Sequence, residues 1–352
     1  MRVRRNKIAV TVAVVALSGG VLAACGSTST VKSSTSTAKS STSTAKSSTS
    51  TVKSSTGSPT IAFVCATGAV ASYWTPIQTG AEAAAKAMGV HMTYTGMTQP
   101  SGFSASVIAT ALKVAIDQKP AALVACDYFP SAEDPLLKLA AKEGIAIFIS
   151  GASSPVSQNL AVATFEENNY QGGVVAAQKM AAAGVKQALC VDDNPASPSV
   201  AIRCVGFAKA GKAAGMTVTI DNLPSGSTSN ASLEDTAVKG ALAQNHNIGG
   251  ILMMGPVQGP AAVLAVQQSG LTGKVKVGTF DLSSQVLQDV SNGTMQFAIW
   301  QQPYLEGYLP VQAAADYLKY GMATRGLINT GPVIVSKTNV SKVQSEVKVF
   351  GG

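Results

Sequence analysis

The stretch VGTFDLSSQVLQDVSNGTMQFAIWQQPYLEGY, from Val277 to Tyr308, decides the fold. An apolar run ends at Phe280 and is followed at once by Asp281, and a helical stretch opens near Ser283. Asn292-Gly293 then marks a turn before a second apolar run, and Gln301-Gln302-Pro303 leads into another helix over Pro303 to Tyr320. Strand, helix, strand and helix follow each other without a hairpin, which is the order that parallel sheets require.

The same alternation extends back through the chain. Apolar runs at 61–65, 121–125, 145–149, 187–191, 248–252 and 275–280 read as parallel strands buried on both faces, since both faces of each are largely apolar and a turn and a longer helical stretch follow. Between them lie alanine-rich stretches that read as helices: Gly80 to Met88, Val107 to Gln118, Leu136 to Glu143, Gly172 to Ala183, Ala201 to Ala214, Leu233 to Asn245 and Ala261 to Ser269. The fold class is therefore α/β. In such sheets ligands gather at the carboxyl ends of the strands, so the residues just after each strand are the first candidates for a site.

The amino-terminal part has a different character. Arg2, Arg4, Arg5 and Lys7 precede an apolar stretch from Ile8 to Leu17, the layout of an export signal. Leu22-Ala23-Ala24-Cys25 resembles the lipobox of bacterial lipoproteins, which implies cleavage after residue 24 and a diacylglycerol on the Cys25 sulfur. From Thr28 the phrases TSTVKSS, TSTAKSS, TSTAKSS and TSTVKSS recur every seven residues. They lack the apolar seam of a coiled coil, so residues 25–58 read as a lipidated cysteine and a Ser/Thr/Lys-rich tether. Such a tether reaches about 110 Å when stretched and about 30 Å as a flexible coil.

Charge follows the same partition. The chain carries a formal +8, but residues 1–58 hold eight Lys or Arg and no acid, leaving eighteen basic against eighteen acidic residues in the remainder. The basic excess thus belongs to the signal and tether, which removes the charge argument for nucleic-acid binding. No Gly-x-Gly-x-x-Gly follows a strand, and neither a phosphate-cradling Gly-Lys-Ser/Thr nor a Gly-x-Ser-x-Gly elbow is present. The two histidines, His91 and His246, fall in unrelated segments with no ligand spacing, so neither a metal nor a cofactor is expected.

From about Ile61 to Val335 the chain resembles the type I periplasmic sugar-binding proteins, the ribose-binding-like solute receptors of ATP-driven importers. The stretches that carry the resemblance are SYWTPIQTGAEAAAKAMG, AIRCVGF and the segment from Val277 to Tyr308. The last is similar to the sugar and polyol branch and to relatives that bind autoinducer-2. The resemblance implies two Rossmann-like lobes with parallel sheets flanked by helices, joined by a three-crossing hinge near Thr164, Gln301 to Pro303, and Thr330 to Val333. The amino-terminal lobe would be 59–164 with 303–331, and the carboxy-terminal lobe 165–302 with 332–352.

Site residues follow from it position by position. Tyr73 and Trp74 match the rings that stack on a sugar, whose C–H faces are apolar; the competing reading packs them into the core. Arg203 matches the ligand-binding arginine, with an ion pair to Asp192 or Asp193 as its alternative. Asp281 matches the carboxylate that accepts sugar hydroxyls, with a helix N-cap role as the alternative. Gln301 matches a residue touching both ligand and hinge, Gln302 one that satisfies backbone groups, and Asp127 is a further candidate for the cleft.

Two departures stand out: Gly151-Ala152 and Gly255-Pro256 occupy positions where the ribose-type pattern has large polar anchors. A roomier or less polar cleft is expected, with Glu166, Asn168 and Asn169 as replacement contacts or as a helix start. Within the family fold, Cys65 with Cys126 and Cys190 with Cys204 would each close one disulfide per lobe. The expectation is a monomeric, lipid-anchored, extracytoplasmic receptor that presents a sugar or polyol to an ABC permease and its ATPase. The alternative is a receptor reporting its ligand to a membrane sensor.

Overall fold

Six apolar runs form the centres of two sheets, three in each, because only strands covered on both faces can be apolar throughout. The computed structural model describes residues 60–67, 73–99, 104–224, 227 and 230–350. The expected signal segment 1–24, Cys25 and the tether 25–58 lie outside the described residues.

The first sheet contains β1 (Thr60–Ala66), β2 (His91–Met97), β3 (Ala122–Ala125), β4 (Ala146–Ser150), β5 (Ala163–Glu166) and β11 (Gly326–Asn329). The second contains β6 (Gln187–Asp192), β7 (Thr217–Asn222), β8 (Gly250–Met253), β9 (Lys276–Phe280), β10 (Phe297–Trp300) and β12 (Val333–Val335). The helices are α1 (Trp74–Met88), α2 (Ala105–Asp117), α3 (Pro130–Lys142), α4 (Pro155–Leu160), α5 (Asn169–Ala182) and α6 (Pro198–Ala213), then α7 (Ala231–Gln244), α8 (Gln258–Gln268), α9 (Ser284–Asn292), α10 (Pro303–Tyr320) and α11 (Val340–Phe350).

Strand order is β11-β5-β4-β3-β1-β2 in one sheet and β12-β10-β9-β8-β6-β7 in the other. The six apolar strands hold the same places in both, and all pairings are parallel except β10 with β12. The sequence reading missed the polar strands β2 and β7, which form the edges next to β1 and β6 and carry exposed residues. It also missed short β5, whose register with β4 runs Phe148 to Ala163 through Ser150 to Phe165.

The chain passes between the sheets three times. Thr164, expected at the first crossing, lies inside β5, and the passage runs over Glu167–Asn168 into α5. The second runs from β10 through Gln301-Gln302 into α10, which packs Val311, Ala314 and Ala315 into the core of the first sheet. The third runs over Thr330 and the cis Gly331–Pro332 bond to β12. Both expected disulfides are formed, Cys65–Cys126 joining the ends of neighbouring strands and Cys190–Cys204 joining β6 to α6.

The two cores use one packing device twice. A methyl group at Gly307 of α10 would stand 1.9 Å from the Ile77 carbonyl oxygen of α1, and one at Gly206 of α6 would stand 2.2 Å from the Tyr170 carbonyl oxygen of α5. Each glycine lets two helix backbones touch where any side chain would separate them. Gly307→Ala should therefore cost about 1–3 kcal/mol through forced backbone shifts, lowering the thermal midpoint by about 2–4 °C per kcal/mol. An unchanged midpoint would show that α1 and α10 have slack to separate.

Candidate functional site

The carboxyl ends of the central strands of both sheets border one cleft of about 90 Å³. Tyr73 and Trp74 follow β1, Tyr128 follows β3 and Gly151 follows β4, while Asp193, Asn194, Ser197, Ser199, Val200 and Arg203 follow β6. The residues from Met254 to Gln258 follow β8, Asp281 follows β9 and Gln301 follows β10. Five of the expected residues thus meet in this cleft: Tyr73, Trp74, Arg203, Asp281 and Gln301. Asp127 does not line it; its buried carboxylate ends β3 inside the first sheet's half, facing Ser154 and Ser157.

Aromatic rings form one wall. Trp74 stands edge-on to Tyr73 at 5.4 Å and to Tyr128 at 6.2 Å between ring centroids, and its Nε1 donates to the Tyr128 hydroxyl at 3.3 Å. Trp74 is 8% exposed and belongs to the first core while also bordering the cleft.

Asp281 and Arg203 stand on the opposite side. Asp281 has a left-handed backbone, φ 64°, a conformation aspartate tolerates better than most residues, and its carboxylate accepts from Gln301 Nε2. It is not the cap of α9; Ser283 takes that role, its Oγ accepting from Val286 N at 3.2 Å. The Arg203 Nε donates to Asn169 Oδ1 at 2.7 Å and its Nη1 to the Met254 carbonyl at 3.1 Å, and its Cζ lies 4.2 Å above the centre of the Phe280 ring. Its ion-pair partner is Glu167, 3.6 Å away, instead of Asp192 or Asp193, although the guanidinium charge acts on both of these carboxylates as well. Asn168 caps α5 through Gln171 N, and neither Glu166, Asn168 nor Asn169 borders the cleft.

The two glycine positions do not leave the cleft roomier. A side chain at Gly151, whose φ is 69°, would stand 3.1 Å from the Tyr128 hydroxyl and 3.6 Å from that of Tyr73, so the two phenols already fill that corner. At Gly255 the space is taken by Gln258, whose Nε2 donates to Asp193 Oδ2 at 2.6 Å. Tyr128 lies 23 residues before Gly151, whereas Gln258 is only three residues beyond Gly255 and reaches back over it from the start of α8.

Glu306 was also missed, and it joins the cleft to the crossings. Its fully buried carboxylate accepts from the Tyr73 hydroxyl at 2.6 Å, from Thr330 Oγ1 at 3.1 Å and from Glu167 N at 3.2 Å. The Tyr73 hydroxyl lies 3.4 Å from Gln301 Oε1, so a polar chain runs from Glu306 through Tyr73 and Gln301 to Asp281. Gln302, with φ 60°, donates to the Thr330 carbonyl, the backbone role expected of it.

Burial raises the carboxylates of this chain. It pushes Asp281 up to about 6 against the pull of Arg203 and Gln301, Glu306 up to about 7 against the Tyr73 and Thr330 hydrogen bonds, and Glu167 up to about 8 against Arg203. Unfolded carboxyls titrate near 4, so between about pH 4 and pH 8 the folded state holds more protons than the unfolded one. Stability from these groups is then fully present below about pH 4 and lost as pH rises through 6 to 8. The thermal midpoint without ligand should fall from pH 5 to pH 8.5, and Glu306→Gln should flatten the slope. A midpoint that rises across that range would contradict the assignment.

The comparisons with known proteins agree with this geometry. The model of the periplasmic binding protein domain matches residues 61–322. A structure of a carbohydrate transporter from Acidothermus cellulolyticus 11B in complex with myo-inositol is 25% identical, with a TM-score of 0.74 over 84% of this chain and 100% of that one. A carbohydrate transporter solute-binding protein from Agrobacterium radiobacter in complex with D-arabinose is 25% identical, with a TM-score of 0.71 over 83% of this chain and 99% of that one. The xylose/arabinose-binding protein XylF of Sulfolobus acidocaldarius is 29% identical over 128 residues, 35% of this chain and only 31% of the relative's own length. With its two mostly parallel sheets and a cleft at their carboxyl ends, the chain belongs to the periplasmic binding protein family and has the fold of its type I sugar-binding members.

Proposed function

We propose that this protein is the substrate-binding lipoprotein of an ABC-type importer, taking a neutral sugar or polyol into the cleft and presenting it to a membrane permease. The observation that carries the reading is the opposition of an aromatic wall, Tyr73, Trp74 and Tyr128, to hydrogen-bonding groups on Asp281, Arg203 and Gln301. A sugar needs both: apolar C–H faces lie against rings while hydroxyls require directed partners. The bound ligands of two relatives, myo-inositol and D-arabinose, have this mixed surface.

The moving units are the two sheets with their helices, 59–164 with 303–331 and 165–302 with 332–352, monomeric and closing over the ligand by rotation at the crossings. No bond is broken; the ligand stabilises the closed form because it touches both walls only there. Cys25, after removal of residues 1–24, carries the lipid, and the tether to residue 58 gives the receptor room to dock from the outer face of the membrane. Among the described residues no helix is long and apolar enough to cross a membrane.

Thermal unfolding against pentoses, hexoses, inositols, sugar alcohols and autoinducer-2 tests the binding reading. A ligand at one hundred times its dissociation constant adds about 2.7 kcal/mol, or roughly 2–4 °C per kcal/mol, and a shift confined to one chemical class is expected. Asp281→Asn, which keeps a residue tolerant of positive φ, should weaken that ligand at least about tenfold while leaving the ligand-free midpoint within a few degrees. Absence of any shift with the panel would remove the carbohydrate assignment. Cys25→Ser should release the protein from membranes, and continued partitioning into detergent would refute the anchor.

A further inference from the structure

Among the described residues one cation, Arg203, borders the cleft, and an acid stands beside it. Of the five N–H groups on a guanidinium, that on Nε of Arg203 serves Asn169, one on Nη1 serves the Met254 carbonyl, and Nη2 faces Glu167 Oε2 at 3.6 Å. One hydrogen on Nη1 and both on Nη2 remain without a hydrogen-bond acceptor among the described residues, enough for two neighbouring hydroxyls.

Glu167 is unusual in this setting. Its side chain is 0% exposed, neither oxygen accepts a hydrogen bond among the described residues, and Arg203 is the positive charge beside it, while Asp281, Glu306 and Glu166 act on it as like charges. A buried carboxylate without hydrogen bonds is costly, and opposite charge is what offsets that cost. Further acids reinforce it: Asp193 and Asp281 border the cleft, and Glu306 stands behind Tyr73. The guanidinium is neutralised if a single one of these four is ionised, and the cleft is net negative if two are.

We infer that the cleft discriminates by charge, accepting neutral polyhydroxyl rings and rejecting their carboxylate- or phosphate-bearing counterparts, with the ionised form of Glu167 withdrawing Arg203 from service as an anion receptor. Glu167 does not border the cleft and acts through the arginine, so it is a positioning and charge-setting residue. An arginine free of such a partner would offer a uronate or a sugar phosphate a two-pronged charge-assisted contact. Here the anion would meet the field of the acids instead, a repulsive element that excludes unwanted ligands.

This inference rests on the sugar-binding reading, and matched pairs separate the two. Calorimetric titration of the intact protein at pH 9, above the value of about 8 to which burial raises Glu167, would compare D-galactose with D-galacturonate, D-glucose with D-glucuronate and with D-glucose 6-phosphate, and would include myo-inositol and D-arabinose. The neutral member of each bound pair should be at least about tenfold tighter, and Glu167→Gln should narrow that ratio at least about threefold by strengthening the anionic member. Glu167→Met, uncharged and of similar length, serves if the glutamine variant does not fold. Binding of neutral and anionic members within a factor of about three would overturn the charge selectivity while leaving sugar binding standing. An unchanged ratio in the uncharged variants would overturn the role of Glu167. Binding of none of the neutral compounds would defeat the sugar reading itself, and the inference with it.

Discussion

The carboxylate of Glu306 accepts hydrogen bonds from two of the three crossings and from Tyr73 ahead of α1, and the rest of the architecture is arranged around that convergence. Glu167 N belongs to the first crossing, Thr330 to the third, and Glu306 itself opens the helix that follows the second. The Glu306 carbonyl also accepts from Ser150 Oγ at the end of β4. A fully buried acid is tolerated here because each partner supplies a donor that would otherwise lack an acceptor. Through Tyr73 the same carboxylate reaches the aromatic wall, so the crossings and the cleft share one hydrogen-bonded chain.

The backbone follows the same economy. Asp281 and Gln302 both occupy the left-handed region, one at a strand end facing the cleft and the other at the second crossing. Such residues cost of order 1–3 kcal/mol each and persist where their surroundings hold them. Gln301, between them in space, donates to Asp281 and lies beside Tyr73, while Gln302 is tied to Thr330.

Most of the interior of both sheets was legible because a strand covered on both faces leaves an uninterrupted apolar run. The strands β2 and β7 were not, since each has neighbours on one side only and its side chains meet water, which leaves sequences such as His91–Met97 looking like loop. The start of α1 was placed late because Tyr73 offers no side-chain cap to mark it. In the cleft, Tyr73, Trp74, Arg203, Asp281 and Gln301 follow strands or sit in recognisable phrases. Tyr128 and Gln258 belong to no such phrase, and Glu306, within the quoted stretch, looks there like an ordinary acid in the first turn of a helix. Its partners are 139 and 233 residues distant in sequence, separations that no local pattern conveys.

Both disulfides end beside residues of the cleft or its immediate frame: Cys126 precedes Asp127 and Tyr128, and Cys204 follows Arg203. Each link stays within the strands and helices of a single sheet, and none spans the two. The covalent bracing is thus applied to the jaws and withheld from the joint. Each wall arrives with its side chains already in place, which lowers the ordering entropy that capture must overcome. In the proposed closing motion the remaining freedom would lie in three short backbone passages, and the energy of a small ligand would go into turning two braced bodies and not into assembling them.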